Sequence, residues 1–408
     1  MVVDKGPYFQ KLKKDLLSLA SLNLELNFSQ ELKQLDHFAI ELGYVYSFAK
    51  TNSQDGLSII GSSSAFDKNI YLSIRKTLSE SLERYCLSIF RPQNLVIEKI
   101  KNTGTTLNLN ALCNNKRALE NYSQEIELHW TECERSDGTK TLIPAQLIYC
   151  PFTLDKFYFR GPSSTGTCSR TSECSAKLYA ILEVIERNDF ITLFLSDSAP
   201  FSIVENQQLQ YLHSEIIQRL EISNNKITLF KINPDHEYDT IMCCIEDNSN
   251  LSTNYPLSIG ISTSLNGHDA INASFLEAVR NKLWCEYQIR NWNHSSEHKL
   301  KRIAYWRDIK NKVKLKKMLS SSKHIELSKR ETEPSEGLEK VQQLLNKKQV
   351  DIYYKRLSDP AIEDNGFFVY KAIIPDLHPL HIDEGDRYDR STFFPKQLAI
   401  NSFPHPFV

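Results

Sequence analysis

The chain contains the pattern Glu-x-x-Glu-Arg twice, at residues 80–84 and 183–187, each time within a run of helical periodicity. A third run, residues 277–282, keeps the first glutamate but has arginine at the position of the second. Residues three apart lie on the same face of a helix. Each full copy therefore stacks two carboxylates beside apolar neighbours, an arrangement that suits solvent or a hard cation better than a dry core.

Two interpretations fit this pattern. An exposed, ion-paired helix face explains any single copy, because such pairs are common and contribute only fractions of a kcal/mol. Two copies with matching flanks, each followed by a phenylalanine (Phe90 or Phe194), instead favour one shared site. Converging carboxylates need cations, and Mg2+ suits them because it takes oxygen ligands and nucleotide phosphates. The candidate metal ligands are Glu80, Glu83, Glu183 and Glu186, and the candidate phosphate-binding cations are Arg84, Arg187, Arg280 and Lys282.

Composition excludes several classes of function. The 49 basic and 50 acidic residues leave a net charge of −1, which gives no general reason to expect nucleic acid or an anionic membrane as partner. The sequence has no apolar run long enough for a membrane span and no hydrophobic signal core, so we expect a cytoplasmic protein. The nine cysteines include no Cys-x-x-Cys pair, which indicates reduced and mostly buried thiols, not a zinc site.

The periodicity of apolar residues predicts an α+β fold in one domain, residues 1–408. Helices are expected at residues 8–50, 70–90, 172–195 and 270–290, with a Gly/Ser-rich break at 56–64. Strands are expected at residues 94–98, 125–129, 142–149, 157–161, 226–232, 240–246, 257–263, 350–355 and 367–374. The charged segment at about 299–348 is interpreted as a solvated helical insertion, with a nucleic-acid-binding arm as the alternative. A proline-containing tail, residues 395–408, ends the chain.

The turn at residues 161–166, Gly-Pro-Ser-Ser-Thr-Gly, leads into the second of the three glutamate-bearing helices. Backbone N–H groups of such a turn can hold an anion. The turn lacks the Lys-Ser/Thr ending of a P-loop, so an ordinary loop is the other interpretation.

The segment from Ser164 to Arg187 closely resembles the central signature of the YcaO family. That signature is a Ser-Thr-Gly turn, a stretch of small residues and a helix ending in Leu-Glu-Val-Ile-Glu-Arg. Residues 78–84 are similar to the family's earlier helix, residues 277–282 to its later helix, and residues 374–380 and 404–408 to its late strand and proline-rich C-terminus. The resemblance covers about residues 20–408. It implies a YcaO-type fold with mixed and antiparallel sheets and three related helices around a Mg-ATP site.

The resemblance implies ATP-dependent activation of a peptide backbone amide. In azoline-forming members, a Cys, Ser or Thr side chain attacks the preceding carbonyl, the oxyanion takes the γ-phosphate of ATP, and loss of phosphate leaves a thiazoline or oxazoline. The protein contributes positioning and charge neutralisation, in keeping with a sequence in which no Ser-His-Asp or Cys-His arrangement stands out. Thioamide or amidine formation uses the same activation. A degenerate, non-catalytic scaffold subunit is the alternative from another class.

Residue roles follow from position in the family pattern. Glu80, Glu83, Glu183 and Glu186 are expected to hold magnesium and ATP. The remaining nucleotide contacts are expected from Arg84, Arg187, Glu277, Arg280 and Lys282, and a catalytic role in proton transfer from Pro406 and Val408. Several positions depart from the family, which usually has glutamine at Arg280, arginine at Lys282 and proline at Val408. It also usually has a small residue at Lys76 and an acidic pair at Cys174-Ser175.

The resemblance also implies partners. The chain ends where the catalytic domain ends and shows no extra N-terminal leader-binding domain, so we expect separate partners. These are a ribosomal precursor peptide, a leader-binding protein related to ubiquitin-activating enzymes, and an FMN-dependent azoline dehydrogenase. The protein is thus expected to be the cyclodehydratase of a hetero-oligomeric bacteriocin synthetase of the thiazole/oxazole-modified microcin type.

Overall fold

The computed structural model describes most of the chain after its N-terminal segment. The described residues are 45–52, 59–67, 70–103, 105, 107, 109–113, 116–161, 163–195, 201–249, 254–290, 298–308, 310–312, 323–327, 329–381 and 403–407.

The helices and strands follow one another along the whole described part of the chain. The helices are α1 (Ile70–Ser88), α2 (Lys116–Asn121), α3 (Glu173–Leu195), α4 (Ser214–Ile222), α5 (Gly267–Arg290), α6 (His298–Arg307), α7 (Pro334–Lys347) and α8 (Pro360–Asp364). The strands are β1 (Val45–Asn52), β2 (Ile59–Asp67), β3 (Val96–Lys99), β4 (Glu127–Arg135), β5 (Lys140–Pro144), β6 (Thr167–Arg170), β7 (Phe201–Val204), β8 (Asn225–Ile232), β9 (Asp239–Asp247), β10 (Leu257–Ser264), β11 (His324–Ile325), β12 (Tyr353–Arg356) and β13 (Phe368–Ile373).

The chain divides into two compact units. The first comprises residues 1–184 and 334–376, and the second comprises residues 185–333 and 377–408. The boundary falls inside α3, between the two glutamates of its motif. The single catalytic domain expected over residues 1–408 stays a prediction.

The first unit is built on an antiparallel sheet with strand order β3-β4-β12-β13-β6, in which β5 also pairs with β4. Helix α1 contributes Leu78, Leu82 and Cys86, four residues apart, to a core with Val369 of β13. This spacing puts all three apolar side chains on one helix face. The same packing turns the motif of α1 toward the sheet. A separate antiparallel hairpin joins β1 and β2.

The second unit contains a sheet of strand order β10-β9-β8-β7-β11. The pairing is antiparallel except between β11 and β7, which run parallel. Helix α5 lies directly against β10. The approach is so close that a Cβ at Gly260 would collide with the backbone of Ser274 and Ala278. Glycine at this position lets the third glutamate-bearing helix approach the strand closely.

The expected helices at 70–90, 172–195 and 270–290, and the paired strands at 226–232 and 240–246, are confirmed. The helical prediction for residues 8–50 was wrong at residues 45–50, which form β1, and its remainder lies outside the described residues. The expected break at 56–64 was wrong from Ile59 onward, because β2 begins there and pairs with β1.

The strand predicted at 157–161 is wrong as well. Its backbone is bound by a side chain, because Gln146 donates to the Phe157 carbonyl at 2.9 Å and accepts from the Phe159 N–H at 2.9 Å. The charged segment at 299–348 contains α6 and α7, but it also contributes β11 to a sheet. Ile303 and Trp306 of α6 are fully buried, so one face of this polar helix packs in the protein interior. Among the described helices, none has the length and apolarity that crossing a membrane requires.

Candidate functional site

The motif of α1 connects this helix to β6 of the same unit. Glu83 Oε1 accepts a hydrogen bond from the Ser169 N–H at 2.7 Å. Glu80 Oε1 instead lies 3.3 Å from the guanidinium of Arg84, one turn further along the helix. The two carboxylates of this copy therefore have different partners. Glu83 binds the backbone of a strand, and Glu80 forms an ion pair with the arginine of the same motif.

Glu183 of α3 makes the equivalent contact with the turn that precedes β6. Its Oε2 accepts from the Gly166 N–H at 3.2 Å. Gly166 has a φ of +81°, and a Cβ there would collide with the Ala372 carbonyl oxygen and the Val184 side chain. Only glycine fits this conformation and space, so the Ser-Thr-Gly turn brings its last N–H to the carboxylate.

The electrostatics of Glu83 are unusual for a helical glutamate. Burial is the main cause that raises the pKa of Glu83 to about 8, with contributions from the neighbouring Glu183 and Glu80, while the Ser169 N–H and Arg170 oppose this shift. Burial penalises the charged form of a carboxyl group unless a cation accompanies it. The site in the first unit is therefore one that a bound cation would stabilise.

In the second unit, two further glutamates bind one edge of β10. Glu186 Oε2 accepts from the Thr263 N–H at 3.0 Å, and Glu277 Oε2 accepts from the Ile261 N–H at 2.8 Å. The Glu186 and Glu277 side chains are only 12% and 18% exposed. In both units, a motif glutamate thus joins its helix to the backbone of a strand or turn. This arrangement disfavours the exposed helix face.

The arginine positions differ in their surroundings. Arg280 lies 3.0 Å from Glu277 Oε1. Arg187 lies 3.5 Å from Glu186 and stacks on the ring of Phe407, with its guanidinium carbon 4.6 Å from the ring centroid. A cation over an aromatic face is favourable. The last described residue of the tail is therefore in contact with the motif of α3.

The C-terminal segment, residues 403–407, is packed into the second unit. Phe407 belongs to its hydrophobic core, and Pro406 is buried beside it. The indole N–H of Trp306 donates to the Pro404 carbonyl at 3.1 Å. Val408, one of the two residues predicted to be catalytic, lies outside the described residues.

Lys282 is placed differently from the other predicted site residues. Its ammonium lies 2.6 Å from Glu286 and 3.1 Å from Asp247, and the side chain is only 8% exposed. These two carboxylates already neutralise the lysine. The i,i+4 spacing of Lys282 and Glu286 was the sequence signal for one of these two pairings.

The described residues contain no cluster of three or more His, Cys, Asp or Glu side chains that could hold a metal ion by themselves. The first unit contains buried polar atoms with no hydrogen-bond partner in the described part of the chain, namely Arg84 Nε, Thr167 Oγ1 and Ser169 Oγ. A polar ligand would satisfy them, so these residues fit a hydrated metal-phosphate group.

Lys371 is a nearby charged residue that sequence reasoning missed. It is buried in β13 and donates to the Ser163 carbonyl at 2.7 Å, at the start of the Ser-Thr-Gly turn. The available signal was a lone lysine within the otherwise apolar run from Val369 to Ile374.

Comparison with known proteins identifies the family. A family model described as YcaO cyclodehydratase, ATP- and Mg2+-binding, matches residues 73–378, more than half of the chain. The chain belongs to the YcaO family. YcaO proteins of this kind are ATP-dependent cyclodehydratases, and ATP and Mg2+ are their cofactors. The membership predicted from the motifs is thereby confirmed.

Solved structures share the fold. A heterocyclase in complex with substrate and cofactor superposes with a TM-score of 0.71 at 15% identity, over 89% of this chain and 53% of that chain. YcaO from Methanopyrus kandleri bound with AMPPCP and Mg2+ gives a TM-score of 0.66 at 14% identity, over 96% of both chains. The E. coli microcin synthetase McbBCD complex with pro-MccB17 bound gives 0.67 at 16% identity, over 89% and 93%.

At these identities the likeness shows the fold, and it confirms the α+β YcaO-type architecture with antiparallel and mixed sheets. The chain spans about half the length of two of these relatives: 53% of the heterocyclase solved with substrate and cofactor, and 50% of the heterocyclase TruD. No curated protein sequence is significantly similar to the chain.

Proposed function

We propose that this YcaO protein catalyses ATP-dependent cyclodehydration of Cys, Ser or Thr residues in a ribosomal precursor peptide. The observation that carries the proposal is the set of motif glutamates held by backbone N–H groups, with Glu83 in surroundings that favour a bound cation. Exposed ion pairs would need neither feature.

In the proposed reaction a C–S or C–O bond forms and the former carbonyl C–O bond breaks, the side-chain proton and the amide N–H proton are released, and ATP is converted to ADP and phosphate. The substrate side chain adds through its sulfur or oxygen to the carbon of the preceding amide, and the former carbonyl oxygen leaves as the ring C=N bond forms. ATP, when bound, supplies the phosphoryl group with which that oxygen departs as phosphate. The chain provides charge and orientation for this step and no nucleophile of its own.

The roles of the individual residues are part of the proposal. Glu80, Glu83, Glu183 and Glu186 are assigned to Mg2+ and ATP. Glu83 supports this role because only its Oε1 is engaged by Ser169, and its Oε2 has no hydrogen bond in the described part of the chain. The nucleotide contacts are assigned to Arg84, Arg187, Glu277, Arg280 and Lys282. Of these, Lys282 is already paired with Asp247 and Glu286.

For the tail, we propose that Pro406 and Val408 assist proton transfer. The packing of Phe407 on Arg187 supports this role, because it fixes the tail beside a motif residue of α3.

We also propose that the protein works in the cytoplasm within a complex. The expected partners are the precursor peptide, a leader-binding protein related to ubiquitin-activating enzymes and an FMN-dependent azoline dehydrogenase. The support is the shared fold with a component of a microcin synthetase complex that was solved with its pro-MccB17 bound. Thioamide or amidine formation is the closest alternative reaction.

A non-catalytic scaffold is the second candidate. The ion pair between Arg280 and Glu277, at a position where the family usually has glutamine, favours it. Loss of nucleotide binding distinguishes the two candidates.

Thermal unfolding with and without ATP and Mg2+ tests the proposal. We expect the ligands to raise the Tm of the parent protein, since they bind only the folded state. Glu83→Gln and Glu186→Gln should abolish this shift, whereas Glu221→Gln on the exposed surface of α4 should retain it. Absence of a shift in the parent would contradict ATP binding. Mass spectrometry of a precursor peptide should then show loss of one water per ring.

A further inference from the structure

A buried lysine lies behind the Ser-Thr-Gly turn of the first unit. Lys371 in β13 is only 3% exposed. Lysine is almost never fully buried without a partner, because removing its ammonium from water is costly. Its only hydrogen bond in the described part of the chain goes to the Ser163 carbonyl at 2.7 Å, and it forms no ion pair there.

The groups around Lys371 carry charges of both signs. Arg160, Arg84, Cys150 and Glu183 influence it electrostatically, and Lys355 stands opposite it in β12. Burial is the main cause that lowers the pKa of Lys371 to about 8; Arg160 and Arg84 contribute to the decrease, and Cys150 and Glu183 oppose it. Arg84 is paired with Glu80 at 3.3 Å, whereas the ammonium of Lys371 forms no ion pair with a carboxylate in the described structure.

The sheet places unsatisfied polar groups on the same face as this lysine. Lys371 stands directly opposite Thr167 in the ladder between β13 and β6, and Ser169 lies two residues further on. Residues opposite each other, and residues two apart in a strand, share one face of the sheet. Thr167 Oγ1 and Ser169 Oγ are buried and have no hydrogen-bond partner in the described structure. Buried polar atoms of this kind indicate a missing ligand or water.

We propose that Lys371 is a positioning residue for the phosphate groups of the nucleotide: through the Ser163 carbonyl it fixes the turn at residues 163–166, and its buried charge favours an anion there. This inference rests on the proposed ATP-dependent function and adds to it a residue outside the Glu-x-x-Glu-Arg motifs. The ligand class is a nucleoside triphosphate. Lys371 would thus influence the nucleotide in two ways, by holding the turn in place and by its positive charge. The turn is in contact with the motif of α3, because the Gly166 N–H donates to Glu183.

Lys371→Met separates this role from a structural one. The substitution removes a buried charge but keeps a side chain of similar length. We expect the nucleotide-free protein to keep or raise its Tm, while the Kd for ATP with Mg2+ increases by about tenfold or more. A merely structural lysine would give a lower Tm and an unchanged Kd. Lys355→Met is the matched control, because Lys355 is the cross-strand neighbour of Lys371 in β12, is more exposed, and among the described residues donates to the Glu132 carbonyl alone.

Lys371→Arg tests the charge itself. In the parent, affinity for ATP should fall as the pH rises above about 8, since the neutral amine no longer favours an anion. Arginine stays charged throughout this range, so the variant should bind ATP without this alkaline decrease. The measurement is the Kd from calorimetry at several pH values, together with KM and kcat from phosphate release.

The outcomes are distinct. If the parent does not bind ATP, the proposed function fails and the inference fails with it. If the parent binds ATP and Lys371→Met binds it within about twofold of the parent, the role of Lys371 alone is refuted. If Lys371→Met does not fold, the comparison between parent and Lys371→Arg decides, and the same alkaline decrease in both would overturn the inference.

Discussion

Glu83→Gln should stabilise the protein when nucleotide and metal are absent, and the stabilisation should grow with pH. Glutamine preserves the size of the side chain and an oxygen that can accept the Ser169 N–H. It removes only the charge whose burial raises the pKa of Glu83 from 4.5 to about 8. In the folded state the carboxyl group therefore holds its proton more tightly than in the unfolded state.

The sign and size follow from linkage. Between the unfolded pKa of 4.5 and the folded pKa of about 8, the folded parent binds more protons, so its stability falls as the pH rises. Each pKa unit corresponds to 1.36 kcal/mol, so the full penalty above pH 8 has an upper limit of about 5 kcal/mol. The difference in stability between Glu83→Gln and the parent should be near zero at about pH 4 and reach a few kcal/mol at about pH 9.

Denaturant unfolding in the presence of a chelator measures this difference across the pH range. Glu221→Gln, an exposed glutamate of α4, provides the control and should show no such trend. A difference that stays constant from acid to alkaline pH would refute the reasoning, because it would mean that Glu83 titrates normally. The same variant should lose ATP binding, so that stability and function change in opposite directions, as is common for residues of functional sites.

Three further predictions concern the turn, the third motif and the tail. Gly166→Ala should lower the free energy of unfolding by about 3 kcal/mol or more, because the new Cβ sits at a positive φ and collides with the Ala372 carbonyl oxygen. Gly138→Ala is the control: it also sits at a positive φ but in open space, so it should cost only about 1–2 kcal/mol. Arg280→Gln should change stability by no more than about 1 kcal/mol, since the broken ion pair is part-exposed, and should raise the KM for ATP, because the variant loses a cation assigned to the nucleotide; an unchanged or lower KM would contradict that role. Removal of residues 407–408 should lower kcat by about tenfold or more and weaken ATP binding much less, although Phe407 packs on Arg187, and equal activity would exclude the tail from the mechanism.

Much of the candidate site could be predicted because helical periodicity is a local signal. The three helices and their glutamates follow from spacing alone, and the family follows from one specific segment, residues 164–187. The wrong strand at residues 157–161 shows the limit of such signals. Its aromatic residues have the composition of a strand, but Gln146 occupies the backbone groups that a neighbouring strand would need.

Residue roles beyond the motifs were less accessible. Lys282 has the charge of a nucleotide-binding residue, yet its two carboxylate partners come from its own helix and from β9. Lys371 carried no motif and became conspicuous only through its burial. In both cases burial and partner choice depend on which elements pack together, and a single sequence does not contain that information in its periodicity.

The sequence by itself determined that three helices carry closely spaced acidic and basic residues, that a Ser-Thr-Gly turn precedes one of them, and that the chain belongs to an ATP- and Mg2+-binding family. Only the tertiary structure decided what each carboxylate holds. Glu83 and Ser169 are 86 residues apart, and Glu186 and Thr263 are 77 apart. Such contacts are set by sheet register and helix packing, which are cooperative properties of the folded chain. Burial then raises the pKa of Glu83, so that its charged form is favoured only when a cation lies beside it.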